Sequence, residues 1–515
     1  MSRLKRFTHS LLSGYALLGV NVLFTLCTVR LALHYLSEDE YGLWTLVTPL
    51  ASYISVLDFG LSSAAGRILI DYKDDQASGK YGGVILTDIL VGVIQGGIVL
   101  LVGTALAFVL GPLMKVQANL GKTFFWLVLA QVAVFAAMFA LRIVGHVLMA
   151  NQRYDIYNYG NAAGFGINFA ALWWGFSHGL GVLSMALGQA AGLLLTVFLN
   201  LIWCQKLKLF PAPGNWGRPS WQQFHELFSF GRDTFLMGLG YQFITASQPF
   251  LVTRFLGLQA STIWNVCTRV YQLLVQMITR IFNYSAAALA EMTVRGETDR
   301  LLRRFREITI LSVNLAVAAG TIFAICNSPF VQVWMAGKIR WPVWNDFLLA
   351  AWLVVFVAMM MHTSLIGQTK DFRFMRYIFF VEGIVFIGLI ILTHRWGGFP
   401  LMLGLSIVCN LCFSLCYGLH RTRDTFNLTW RELAGWHEST LRLACSIIPV
   451  AALIWWLTRS QPALLRLILN GTLSGAWTLF MFLRYGLGDS IRAELIRRAP
   501  PWARPIFSGG NPVNK

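Results

Sequence analysis

Tyr35-Leu36-Ser37-Glu38-Asp39-Glu40-Tyr41-Gly42-Leu43-Trp44 closes one apolar run and opens the next. Some 220 residues later, Phe255-Leu256-Gly257-Leu258-Gln259-Ala260-Ser261-Thr262-Ile263-Trp264 does the same. An aromatic-Leu pair opens each stretch and a tryptophan closes it. The first copy follows the first long apolar run and the second follows the seventh, which is the placement a duplicated six-helix unit requires. An even number of crossings per unit makes the two copies parallel, related by an axis along the membrane normal.

The surrounding composition fixes the solvent. Of 515 residues, 56% are hydrophobic and 12% charged, and the mean hydropathy is +0.61. Soluble domains carry about 25% charged residues, so too little polar surface remains here to coat a globule, and the apolar content excludes disorder. The runs are continuous rather than alternating, which selects membrane-spanning helices over a barrel. The reading is an all-α membrane protein with 14 crossings: 7–36, 42–67, 83–110, 123–148, 158–177, 182–204, 232–256, 262–290, 307–328, 346–368, 376–394, 400–420, 441–459 and 464–486. A polar segment with Pro211, Pro213 and Pro219 interrupts the series. The expected organisation is an N-lobe over 1–204, a cytoplasmic linker over 205–230, a C-lobe over 231–420, two extra helices within 421–486 and a cytoplasmic tail over 487–515. The basic start Met1–Arg6 leads into an apolar run too long for a signal peptide, so it reads as a first crossing that starts inside.

The excess of 41 Lys+Arg over 23 Asp+Glu, net +18, reads as topogenic rather than as a nucleic-acid surface. With both termini inside, about 29 of the basic residues fall on inside segments, about eight outside, and four within crossings. The eight cysteines are scattered, and Cys409, Cys412 and Cys416 on one helical face pack without an accompanying His or acid, so neither a disulfide framework nor a metal site is expected. Gly121-Lys122-Thr123 lacks the upstream glycine of a phosphate loop. No cofactor is expected, and no outside segment is long enough for an external catalytic domain, so the chain does not read as an enzyme.

Charges inside crossings are costly and mark function by default. Arg30, Asp58, Arg142, Arg269, Arg280 and Glu382 are these residues. Four of the six are arginines, whose planar, permanently charged forks suit phosphate oxygens. Arg142, Arg269, Arg30 and Arg280 are therefore the candidate anion ligands, and Asp58 and Glu382 the candidates for ion coupling. The alternatives are snorkelling of Arg30, Arg142 or Arg280 to an interface and a structural pair between Asp58 and a nearby arginine. Pro49, Pro249 and Pro449 are expected to kink their crossings, as hinges or as static bends, and His146 and His362 to be packed as neutral rings, with proton relay the alternative.

Tyr41-Gly42-Leu43-Trp44, Leu57-Asp58-Phe59-Gly60-Leu61 and Arg67 resemble a signature of the polysaccharide and O-antigen flippases within the multidrug/oligosaccharidyl-lipid/polysaccharide exporter superfamily. Ala286–Met292 with Gly296-Glu297-Thr298-Asp299-Arg300 is similar to the family's helix-8 ending and following loop, although the family commonly has proline where this chain is alanine-rich. Pro329-Phe330-Val331-Gln332-Val333-Trp334-Met335-Ala336-Gly337 resembles a third segment. The resemblance, strongest over about residues 10–420, implies two six-helix bundles in a V around a central cavity. It implies as substrate an oligosaccharide on undecaprenyl diphosphate, turned over across the bacterial inner membrane for surface polysaccharide assembly. Its expected partners are that lipid, the bilayer and polysaccharide polymerase machinery. The alternatives are a cation-coupled multidrug exporter of the same fold and a membrane glycosyl polymerase or ligase.

Overall fold

The computed structural model describes residues 3–49, 77–114, 116–151, 153–369 and 374–488 and the single positions 58, 61, 65, 69, 72, 492 and 497; among them there is no strand. The chain divides into two compact units, Met1–Thr262 and Ile263–Lys515. The first holds α1 (Arg3–Tyr35), α2 (Glu38–Val47), α3 (Lys80–Leu113), α4 (Ala118–Leu141), α5 (Ile143–Ala150), α6 (Tyr154–Ser177), α7 (Leu183–Lys206), α8 (Trp221–Thr245) and α9 (Gln248–Leu256), and the boundary falls inside α10 (Leu258–Cys267). The second holds α11 (Arg269–Val294), α12 (Thr298–Trp334), α13 (Val343–Thr369), α14 (Met375–Thr393), α15 (Phe399–Asn410), α16 (Cys416–Phe426), α17 (Trp430–Gly435), α18 (Glu438–Thr458), α19 (Ala463–Leu469) and α20 (Gly475–Met481).

Ten stretches of described helix are long and apolar enough to cross a membrane, and each coincides with an expected crossing. The expected crossings 158–177, 232–256 and 262–290 are helical without being among the ten. Their polar residues explain the shortfall in two cases: α6 carries Asn158, Asn161, Asn168 and four glycines, and α11 carries Arg269, Gln272, Gln276 and Arg280. Most of 42–67 and nearly all of the 487–515 tail lie outside the described residues. Pro249 does not kink a continuous helix. It occupies the first turn of α9, after α8 has ended at Thr245, where a missing N–H costs nothing. Pro49 follows α2 in a turn, whereas Pro449 does lie inside α18.

Polar and small residues, rather than apolar bulk, join α6 to α7. In lipid, apolar side chains gain nothing by leaving one helix for another, so close backbone approach and interhelical hydrogen bonds decide. Gly164 faces Thr196 Oγ1, and a Cβ on Gly192 would stand 2.9 Å from the Gly164 carbonyl oxygen. Thr196 Oγ1 in turn donates to the Gly160 carbonyl at 3.2 Å. Gly164→Val is therefore expected to force the helices apart at a cost of about 1–3 kcal/mol, whereas Gly166, on the same helix with open space around it, should accept valine freely. Thermal unfolding in detergent compares the two, and equal midpoints would refute the seam.

The polar segment before α8 lies against the start of α3. Tyr81 donates to the Leu209 carbonyl at 3.2 Å, and Thr87 Oγ1 reaches Gln223 Oε1 at 3.1 Å. A Cβ on Gly82 would stand 2.5 Å from the Trp216 carbonyl oxygen. In the second unit, Pro329 lies inside α12 and leaves the Ile325 carbonyl without its helical donor. Asn470 Nδ2 supplies that donor at 2.8 Å. Asn470 opens the π-turn Asn470–Ser474 between α19 and α20, and its Oδ1 accepts from Thr458 Oγ1 at 2.7 Å. A second π-turn, Leu411–Leu415, joins α15 to α16. Cys409 just before it is buried, whereas Cys412 within it and Cys416 after it are exposed, and all eight cysteines are free.

Candidate functional site

In the first unit the costly charges converge. Asp88, Gly92 and Gly96 recur every fourth residue on α3, hence on one face. A Cβ on Gly92 would stand 2.5 Å from the Phe139 carbonyl oxygen, and one on Gly96 would stand 2.8 Å from that of Ala136. Glycine at these two positions lets α3 lie flush against α4 and brings Asp88 level with the end of α4. Arg142 is the single residue between α4 and α5, and its carbonyl still accepts from His146 N at 3.2 Å, so Arg142 and His146 stand one turn apart on the same face.

Arg142 Nη2 meets Asp88 Oδ1 at 3.0 Å, its Nη1 meets Asp58 Oδ1, and His146 Nδ1 meets Asp88 Oδ2 at 2.9 Å. The Arg142 and Asp88 side chains are 9% and 1% exposed. The Phe139 ring lies 5.5 Å from the guanidinium carbon. This corrects the expectation that Arg142 offers a free guanidinium to a diphosphate, because carboxylates occupy both terminal nitrogens. The Asp58–arginine pair, the alternative weighed from the sequence, is what forms. With a neutral imidazole the four side chains carry one net negative charge, and with an imidazolium they carry none. His146 is thus not simply packed, and Asp88 is a member that the sequence reading missed. It stands so near the start of the 83–110 crossing that it passes for a boundary residue; its register with Gly92 and Gly96 is the signal that could have exposed it.

The second unit holds Glu382, on α14, in a different setting. It is fully buried. Asn410 Nδ2 donates to its Oε1 at 2.7 Å and Ser414 Oγ to the same oxygen at 3.2 Å, while Trp352 Nε1 donates to Asn410 Oδ1 at 2.8 Å and so fixes the amide. Its Oε2 is buried without a hydrogen-bond partner. Among the described residues no cation pairs with it, a costly setting for a charged carboxyl in an apolar span. Ser414 belongs to the π-turn, the kind of local widening that π-bulges contribute at functional sites. His362 is buried with Nδ1 at 2.9 Å from Thr422 Oγ1 and the Trp436 ring stacked near it, as expected of a packed ring.

Arg269 and Arg280 share α11 with Gln272 and Gln276, and the spacing 269, 272, 276, 280 puts all four on one helical stripe. Arg269 Nη1 reaches Gln272 Oε1 at 3.4 Å, and both arginines are half-buried. Arg30 is exposed on α1, five residues before its end, whereas α1 engages α6 through Phe24 on Phe165 and Asn158 on Ser13. Gly121-Lys122-Thr123 lies within α4, in regular helix rather than a loop.

The two copies of the duplicated stretch meet within the first unit. A Cβ on Gly42 would stand 2.8 Å from the Leu258 carbonyl oxygen, and Thr262 Oγ1 donates to the Glu38 carbonyl at 2.7 Å. Leu258 is the counterpart of Glu38 at the offset of 220, and Thr262 is the counterpart of Gly42. The contacts 42–258 and 38–262 therefore exchange under the repeat, as contacts across a two-fold axis do. Thr45 Oγ1 and Ser261 Oγ lie 2.8 Å apart in the same buried interface.

Comparison with known proteins fits this geometry. The sequence pattern of the family described as polysaccharide biosynthesis protein matches residues 33–342, more than half of the chain. The chain belongs to that family. No curated protein matches the sequence of this polysaccharide biosynthesis family member. Among solved structures, an inward-facing multidrug resistance MATE transporter of the MOP superfamily shares its fold with a TM-score of 0.68 at 12% identity, over 78% of this chain and 94% of that one. The lipid II flippase MurJ, in an inward closed conformation, does so with a TM-score of 0.63 at 12% identity, over 90% and 98%. A MOP transporter from Pyrococcus furiosus, described as having a binding pocket of reversed polarity, gives 0.61 at 14% identity over 82% and 96%. At these identities the likeness establishes the fold, which is that of multi-pass membrane transporters of this superfamily.

Proposed function

We propose that this family member is a flippase that carries a polyprenyl-diphosphate-linked oligosaccharide across the bacterial inner membrane, as a transporter rather than an enzyme. The observation that carries the reading is the α11 stripe, where two arginines about 16 Å apart along the helix flank two glutamines. Guanidinium groups suit a diphosphate, and amides suit sugar hydroxyls. A cavity for cationic drugs would present acids instead, whereas Asp58 and Asp88 are paired with Arg142 and Glu382 is held among neutral donors. Arg269 and Arg280 are the proposed diphosphate ligands. Arg30 stays a secondary candidate, because it stands near enough to its helix end to snorkel.

The proposal includes 14 crossings in two six-helix lobes plus two extra helices, arranged as a V, with both termini cytoplasmic and the boundaries given from the sequence. The proposal has the lobes rock in each cycle, with α2 parting from α10 as the proposed movement. The Asp58–Arg142–Asp88–His146 set and Glu382 are the proposed coupling groups, and a polysaccharide polymerase is the proposed consumer of the product. Reconstitution of the full chain in vesicles with a fluorescent polyprenyl-diphosphate oligosaccharide tests the reading. Loss of outer-leaflet fluorescence should depend on protein and on an imposed ion gradient, and Glu382→Gln should abolish the gradient dependence. Transport of a cationic dye with no movement of the lipid would favour the exporter instead.

A further inference from the structure

At the start of α12 a cavity of about 480 Å³ opens between α12, α18 and the end of the last crossing. We propose that it binds the phosphate head of an anionic membrane lipid, a site distinct from the α11 stripe and independent of the transport reading. Four arginines line it, Arg303, Arg306, Arg442 and Arg492, with Glu307 and Glu438. Both carboxylates are already engaged, Glu307 by Arg304 at 3.0 Å and Glu438 by Arg442. Arg492 is tethered by donating to the Arg484 and Leu487 carbonyls at 3.2 and 3.1 Å. Arg303 and Arg306 stand one turn apart on α12, and neither has an ion-pair or hydrogen-bond partner among the described residues.

Topogenic arginines need only reach water, and a solvated row along a helix would serve. These instead line three sides of a concavity, together with the Ser439 and Tyr485 hydroxyls. Ser439 Oγ accepts from Asn314 Nδ2 at 3.3 Å, which leaves its own hydrogen to be donated into the cavity. The floor is apolar, with Ile310 and Trp436. Further along α18, Leu441 and Ile448 are 65% and 52% exposed and line a second, apolar cavity of about 680 Å³ with Val317 and Ala324 of α12, on a helix apolar enough to span the membrane. A lipid whose chains lie along that face would bring its phosphate to Arg442 and the unpartnered pair opposite. A basic pocket flanked by a lipid-facing helix selects a phosphate that is attached to acyl chains over one in free solution.

The test uses the full chain in neutral detergent with phosphatidylcholine, titrated with phosphatidylglycerol, with the thermal unfolding midpoint read at each step. Phosphatidylglycerol should raise the midpoint saturably. Arg303→Gln with Arg306→Gln should need about 25-fold more of it, at roughly fivefold per arginine, and the corresponding lysine pair should stay close to the parent. Arg442→Gln, on the opposite wall, should cost about fivefold alone, so the result does not hang on the double variant folding. The proposal is overturned if the glutamine variants titrate like the parent. It is also overturned if inorganic phosphate or phosphatidylcholine alone gives the same rise.

Discussion

Arg142→Ala is expected to abolish transport and to be the most damaging single substitution in the first unit. The guanidinium is the cation shared by Asp58 and Asp88. Its loss takes the shared cation from two carboxylates in an apolar span, one of them almost wholly buried and left with His146 beside it. Breaking a buried pair by removing one partner costs about 3–5 kcal/mol. Protein level in the membrane should fall sharply, and Arg142→Lys, which can hold one carboxylate but not fork across two, should recover only part of it. The decisive variant combines Arg142→Gln, Asp58→Asn and Asp88→Asn. It removes all three charges and should restore the protein level, because the uncompensated charge is gone. Transport should stay absent if the set cycles a proton or another cation. A triple variant that transports normally would reduce the network to a structural one.

The second large effect is expected from Thr45→Cys with Ser261→Cys in a background where the eight native cysteines are replaced. The hydroxyl oxygens are 2.8 Å apart, so oxidation should form a disulfide in high yield. If α2 and α10 must separate during each cycle, the linked protein should lose essentially all transport and regain it on reduction. Retained transport in the linked protein would show that this interface stays closed throughout, and the rocking proposal would fail. A rigid structural contact and a moving gate predict the same cross-link but opposite activities, so the two measurements must be made on one sample.

The comparison of sequence with structure shows where each kind of information resides. The crossings were legible because an apolar helix in lipid needs no partner to declare itself, and ten of them stand where the hydropathy places them. Arg142 was legible as an anomaly, since charge inside an apolar run is costly wherever it points. What answers that charge was not legible. Asp58 and Asp88 lie 84 and 54 positions away, and pairing across helices leaves no local periodicity. The repeat was visible as similarity, but nothing in it announced that its copies touch. The break between α8 and α9 and the π-turn at Leu411–Leu415 were also unreadable, because each depends on backbone bonds that composition does not encode. Arg269 and Arg280 illustrate the opposite case. Each was found singly as a charge, and only a continuous α11 with Gln272 and Gln276 between them turns two anomalies into one surface.

The carbonyl that Pro329 leaves open in α12 bears on how such a chain can have grown. The Asn470 side chain that satisfies it comes from the last of the ten described spans, outside the twelve crossings of the proposed repeat. Further bonds run the same way, since Asn314 on α12 donates to the Gly486 carbonyl at 3.0 Å and accepts from Thr440 at 2.6 Å. A chain of the proposed twelve crossings alone would have to meet this carbonyl with water or a neighbouring hydroxyl, or leave it open at a cost of several kcal/mol in lipid. Proline at 329 and asparagine at 470 are therefore joined: replacing the asparagine alone strands the carbonyl that the proline has freed.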